Sequence, residues 1–167
     1  RSPKRVSSVF CPTAEQSSFS PEAQERQGIM INKQANDAPI PVVYGSRRVG
    51  GVRVLRETSG TNNDYLNLVI VLCEGEVSAI NTVYLDGVAT SDARFSGLVD
   101  LYKHVGTDAQ AADSNLASEV TAWTTAHKLS GVAYIYIRLK WDGDAFGGIP
   151  TVTADVDGKL VYDFRDT

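Results

Sequence analysis

The stretch that most constrains the fold is Asp64-Tyr-Leu-Asn-Leu-Val-Ile-Val-Leu-Cys-Glu-Gly-Glu-Val-Ser-Ala-Ile-Asn-Thr-Val-Tyr-Leu-Asp-Gly87. Residues 68–73 within it are an unbroken apolar run rich in β-branched side chains, closed by Glu74-Gly75-Glu76. So short a run, ended by a turn signal, predicts a strand buried on both faces. A membrane span would need about 20 apolar residues. Beyond the turn, Val77, Ala79, Val83 and Leu85 share one parity with polar Asn81 among them, while Ser78, Thr82 and Asp86 fall on the other. That period of two predicts a half-covered strand. The stretch therefore reads as a two-strand unit ending at Asp86-Gly87, a β scaffold that carries no chemistry of its own.

With 167 residues, 43% of them apolar, the chain has enough material for one domain with a real core. The net charge of −4 and the lack of any basic stripe argue against a nucleic-acid partner; Arg47-Arg48 is a pair, not a patch. Cys73 ends the buried run and reads as a core thiol, whereas Cys11 sits in a polar leader, so a disulfide between them is not expected. Residues 1–26 are rich in Ser, Pro, Gln and Glu, have no apolar stretch of the kind a signal peptide carries, and read as an extended arm. Residues 27–167 read as the β-rich domain, with residues 88–130 as a helix-containing insertion.

Gly28-Ile-Met-Ile-Asn32 predicts a first short strand. Pro39 and Pro41 forbid helix and remove ladder donors, so residues 38–45 read as an extended edge segment that becomes a strand at Val42. Residues 46–57 continue as a strand, with Gly50-Gly51 marking a bulge or a close backbone approach. Residues 98–105 suggest another strand. Asp113-Ser114 offers an N-cap, and Leu116, Val120, Trp123 and His127 recur at helical spacing, which predicts a helix of about three turns. From Gly131 the alternation is clean, with Ala133, Ile135, Ile137, Leu139 and Trp141 on one face and Tyr134, Tyr136, Arg138 and Lys140 on the other. Asp157-Gly158 predicts a two-residue type I′ hairpin from which residues 159–162 return.

Candidate chemistry is sparse. His104 and His127 have no Cys or His at ligand spacing and read as surface or half-buried side chains. Asp142-Gly-Asp144 lacks the further oxygen ligands of a calcium loop. Asp155 and Asp157 share a strand face as glycosidase carboxylates can, but read better as solvated groups beside a turn. Tyr134 and Tyr136 could form an aromatic binding strip, or be ordinary strand residues covered by the leader, the helix or another subunit. No Gly-x-Ser-x-Gly, phosphate loop or Cys/His dyad is present. No metal, cofactor or enzymatic activity is expected.

Three stretches together resemble a known family. Ala38-Pro-Ile-Pro-Val-Val-Tyr-Gly-Ser-Arg-Arg-Val-Gly-Gly51 is similar to the start of the hub domain in the tail-tip proteins of long-tailed bacteriophages, the lambda J-like central tail hub or host-specificity family. The run from Leu66 to Gly75 resembles that family's next strand, which ends in Glu-Gly. Gly131-Val-Ala-Tyr134, Gly148-Ile-Pro150 and Gly158-Lys-Leu-Val-Tyr-Asp163 resemble its later marks, departing at Phe164 where the family commonly has proline. The resemblance covers about residues 28–165. It implies a structural virion protein at the tail tip: a trimeric hub whose β domains form a ring continuing the tail tube and contact distal tail and tape-measure proteins. Family members are far longer, and their receptor-binding parts lie beyond the hub.

The expectation is thus a mainly β protein, an antiparallel barrel-like or sandwich-like hub domain with one short helix, serving assembly and, indirectly, host attachment. Pro39, Pro41, Tyr44, Arg47, Arg48, Tyr134 and Tyr136 are its candidate assembly residues, with the Pro39/Pro41 edge blunted. A carbohydrate-binding β module is the alternative and would need Tyr134, Tyr136 and Trp141 exposed together. A hydrolase is disfavoured for want of a nucleophile or a positioned acid pair.

Overall fold

The computed structural model of the protein describes residues 38–159. The arm expected at residues 1–26, the strand expected at 28–32, Cys11 and the rest of the return strand expected at 159–162 lie outside them. The strands are β1 (Ser46–Val49), β2 (Val52–Ser59), β3 (Tyr65–Glu74), β4 (Ala79–Leu85), β5 (Val88–Ala89), β6 (Val99–His104), β7 (Val132–Lys140) and β8 (Val152–Asp157), with α1 (Ser114–Glu119) between β6 and β7. They form two antiparallel four-stranded sheets, ordered β2-β3-β7-β6 and β1-β8-β4-β5. The sheets do not close into a barrel.

The main core lies between the two sheets. Leu68, Ile70 and Leu72 of β3 and Ala133, Ile135, Ile137 and Leu139 of β7 meet Val49, Val83, Leu85, Val152, Ala154 and Val156 of the second sheet. The opposite faces of β3 and β7 carry Val69, Val71, Tyr134 and Tyr136, which pack under Leu116, Val120 and Trp123. The apolar run is therefore covered from both sides, as its composition predicts, and every residue from 68 to 73 is buried. Asn67 beside the run is also buried, and it is satisfied by the Tyr136 hydroxyl at 2.8 Å and by donating to Ser59 Oγ at 2.9 Å.

Four local expectations need correction. First, β3 and β4 are not a paired unit; they lie in different sheets, because Gly75 (φ +88) turns the chain out of one and into the other. A bulge between Ile80 and Val83 then resets the parity, so Ile80 faces the core rather than Ala79. Second, residues 46–57 are two strands. Gly51 (φ +62) carries the chain across from the second sheet to the first, and a Cβ there would sit 2.3 Å from the Val71 carbonyl oxygen. The close backbone approach that the Gly-Gly pair signals is thus a sheet crossing.

Third, the two-residue hairpin with positive φ is at Asp86 (φ 48) and Gly87 (φ 83), between the pairs Leu85↔Val88 and Tyr84↔Ala89. Asp157-Gly158 makes no such turn. Gly158 lacks a positive φ, and its N–H donates to the Gly45 carbonyl at 2.9 Å, so the chain runs on beside residues 43–45. Glycine is needed there because a Cβ would meet the Val43 carbonyl oxygen at 2.2 Å. Fourth, the helix is six residues, not three turns. Asp113 caps it as expected, accepting from Asn115 and Leu116 N–H, but Val120 is already extended (φ −121, ψ 111). The β-branched Thr121, Thr124 and Thr125 after it favour extended backbone over helix. Val120 and Trp123 reach the core from turns instead.

Polar side-chain contacts hold this cover to the first sheet. Arg138 of β7 reaches Glu119 at 3.0 Å and Asp100 at 3.3 Å, and His104 Nε2 lies 2.7 Å from Asp113 Oδ2. Burial raises the Asp113 pKa, but the bonds from His104 and from the Leu116 and Asn115 amides outweigh it and hold the carboxyl below its ordinary value. A depressed folded-state pKa stabilises the fold above the unfolded value and loses that contribution as pH falls through the folded one. Melting temperature should therefore drop as pH falls below about 3.9. Asp113→Asn, which keeps a capping oxygen, should melt lower at neutral pH by the equivalent of about 1–2 kcal/mol and show a shallower acid decline. Parallel acid profiles for the two proteins would refute this assignment.

Candidate functional site

Residues 38–48 bring together most of the side chains singled out as assembly candidates, along one border of the molecule. Pro41 O accepts from Glu74 N–H at the end of β3 (2.9 Å), and Val43 O accepts from Lys159 N–H beyond β8 (2.8 Å). The segment is thereby strapped to the ends of both sheets. Val43 faces the core, while Ile40, Val42 and Tyr44 are 37%, 49% and 61% exposed. Pro39 and Arg47 are exposed, and Pro41 is half-buried. Inside this strap the Cys73 thiol accepts the Val43 N–H at 3.3 Å, and burial pushes its pKa up, so it is an inert core group.

Arg48 opens the one ordered polar cluster on the outer face of the second sheet among the described residues. Its guanidinium donates to both oxygens of Asp155, from Nε at 2.7 Å and Nη2 at 3.1 Å, and lies over the Tyr84 ring at 3.7 Å from its centroid. The Tyr84 hydroxyl donates to the same carboxylate at 2.8 Å. Asp157, two residues on, accepts from Ser46 Oγ and Asn81 Nδ2. The Arg48 hydrogen bond, with that of Tyr84, holds Asp155 below the usual carboxylate range, and the bond to Asp155 raises Arg48. Both carboxylates are thus committed to neighbours and kept ionised, the opposite of what a proton-donating glycosidase acid requires. An Arg48–Asp155 ion pair exposed to this degree adds only about 0.2–1 kcal/mol. Its effect is to fix a planar, charged patch in one geometry.

Tyr134 and Tyr136 must be withdrawn as surface contacts. Both are fully buried beneath the α1 segment, where Tyr134 stacks on His104 and Tyr136 on Tyr102. Burial pushes Tyr134 up to about 12 and Tyr136 higher still, so neither ionises near neutrality. Of the three aromatic residues the carbohydrate-binding alternative needs, only Trp141 is open to solvent, at 54%. Trp141 lines a shallow groove of about 680 Å³ with Ile149, Leu66, Arg56, Glu57, Thr58 and Asn63. His127 accepts from Thr124 in a local turn, and Asp142 caps its own loop through the Asp144 and Ala145 amides. No group of three or more metal-ligating side chains occurs among the described residues. No helix there is long and apolar enough to cross a membrane.

Sequence reasoning missed Ile40 and Val42 as surface residues, and Tyr84 and Asp155 as the partners that fix Arg48. The first pair carried a signal: Ile40, Val42 and Tyr44 share a parity opposite to that of Val43. The second did not, because β1 and β8 lie at opposite ends of the chain.

No known protein family and no curated protein matches the sequence. Among solved structures, a chain in the virion of a native gene transfer agent particle is similar, with a TM-score of 0.55 and 23% identity. The likeness covers 78% of this chain and 29% of that one. At this identity it shows a shared fold. The fold of this chain thus spans less than a third of the larger virion chain.

Proposed function

We propose that the chain is a structural component of a phage-type virion, working at the tail tip as a non-catalytic hub domain that assembles into a ring, expected to be a trimer, against distal tail and tape-measure proteins. The observation that carries this reading is the fold shared with a virion-particle chain over 78% of the sequence. The motif resemblance supports it, since its segments fall on the strap, β1, β3, β7 and the loop leading into β8. The free edges support it too: β1, β2 and β6 each lack a partner on one side among the described residues, and a ring supplies partners to edges. Involvement in host attachment would be indirect, through whatever the hub carries.

The test is to tag the chain and image purified particles. Label confined to the distal end of the tail supports the reading; tagged particles without label there, or label spread along the tube, would overturn it. The arm supplies a second test. Deleting residues 1–26 should leave the melting temperature of the free domain unchanged while abolishing incorporation into tails. Ordering an arm costs about 1–2 kcal/mol per residue, which only a large intersubunit contact can offset. Normal incorporation of the shortened chain would count against this role.

A further inference from the structure

We propose that the groove around Trp141 is a saccharide-binding site, one that takes a neutral oligosaccharide with a sugar ring laid on the indole. The inference does not depend on the virion reading. The groove lies at one end of the space between the two sheets. Thr58 of β2 stands opposite Leu66 of β3, which stands opposite Leu139 of β7, so the three share the face that looks into the main core. Leu139 is buried in that core, and Leu66 packs against it half-buried. Trp141 comes next in the alternation of Ile135, Ile137 and Leu139, yet it is 54% exposed. Ile149, just before β8, is 43% exposed. The apolar row thus runs out of the core into solvent at this end and lines the groove of about 680 Å³.

The lining fits the two-sided chemistry of a sugar. A pyranose ring has an apolar face of C–H groups and a rim of hydroxyls, each both donor and acceptor. Trp141, Ile149 and Leu66 supply apolar surface, the indole as a flat platform. Among the polar groups beside them, Arg56 offers donors only, Glu57 acceptors only, and Thr58 and Asn63 both. The one positive and the one negative side chain cancel, so the lining favours neither a phosphate nor a cation. A small molecule would be enclosed over about 70–90% of its surface in a typical pocket, whereas a shallow groove suits a longer chain lying across it.

The platform and its donors are held in place by the fold. The Trp141 N–H donates to the Asp64 carbonyl at 2.7 Å, which ties the indole's backbone to the β2–β3 turn. In that turn the Thr58 hydroxyl donates to Asn63 Oδ1 at 3.0 Å, and the Asn63 N–H donates to the Gly60 carbonyl at 3.3 Å. The Asn63 carboxamide is thereby held by its oxygen, and its nitrogen keeps its donors for a ligand hydroxyl. Groups ordered before the ligand arrives reduce the entropy lost on binding.

Two-dimensional NMR of the full chain, titrated separately with cellohexaose, maltohexaose and chitohexaose, tests this. At least one should shift the Trp141 indole N–H and the Asn63 side-chain amide saturably, while the indole of buried Trp123 stays unmoved. Affinity should be the same at about 50 and about 500 mM salt, because the ligand carries no charge. Trp141→Ala should weaken binding at least about tenfold, and Trp141→Phe, which keeps a ring, should weaken it less. The amide of buried Ile70 should be unmoved in both variants, showing that they are folded. No shift with any of the three sugars, shifts confined to other residues, or full binding by Trp141→Ala would overturn the proposal. Binding that is lost at high salt would overturn it too. So would a groove that ignores the sugars and takes acetyl-Leu-Pro-Leu-amide instead, which would assign it to a protein partner.

Discussion

Gly51→Ala should destabilise the domain by about 2–5 kcal/mol, the sum of about 1–2 for a left-handed backbone with a side chain and about 1–3 for overpacking. Gly51 has φ +62, and the added methyl would press on the Val71 carbonyl oxygen at 2.3 Å and on Ile70 Cγ2 at 2.8 Å. Neither can retreat, since Ile70 and Val71 lie in the buried centre of β3. Gly45→Ala is the matched comparison. Its φ is +67 but nothing lies within 4 Å of the new atom, so only the backbone contribution of about 1–2 kcal/mol should appear. Urea titration of both variants separates the two effects. Equal losses would show that the crossing between the sheets is looser than the geometry requires.

Ile70→Ala should cost about 2–5 kcal/mol, the range for large-to-small changes in a packed core. Ile70 is fully buried between the sheets, in contact with side chains that are themselves fixed in strands. Val54→Ala, at a position 49% exposed on β2, should change stability by less than about 0.5 kcal/mol. A loss below about 1 kcal/mol for Ile70→Ala in denaturant titration would be incompatible with a strand covered on both faces.

The residues that announce themselves in the sequence are those whose structural duty is local. The run at 68–73 is apolar because both of its faces are covered, and the alternation at 133–139 separates two cores because β7 lies between them. The Asp113 cap was equally legible, since a cap is a matter of adjacent residues. Pairing was not. Asp86-Gly87 and Asp157-Gly158 are the same dipeptide, and only the first turns a hairpin. What separates them is the strap at 43–45, which takes the hydrogen bonds of Gly158 and Lys159. Likewise Tyr134 and Tyr136 could be read as a strip on one strand face, but their cover comes from a segment whose helix is too short for periodicity to delimit. The strap itself was half legible. Its prolines excluded helix correctly, whereas its attachment to the ends of both sheets follows only from the bonds of Pro41 and Val43.

The position of β8 sets the order in which this protein can come into being. It is the last described strand, yet it lies in the interior of the second sheet, between β1 and β4. On the ribosome, the first sheet has all its strands once β7 has emerged. The second at that moment has β1 on one side of a gap and the paired β4 and β5 on the other. Val152, Ala154 and Val156 are still missing from the core at that point, and β1 must then find a partner more than 100 residues away, as the Arg48–Asp155 separation of 107 shows. Late, distant pairing is the slow and aggregation-exposed step of β proteins. A polypeptide stopped just before β8 would leave the facing edges of β1 and β4 without the strand that joins them, an open site for pairing with other chains.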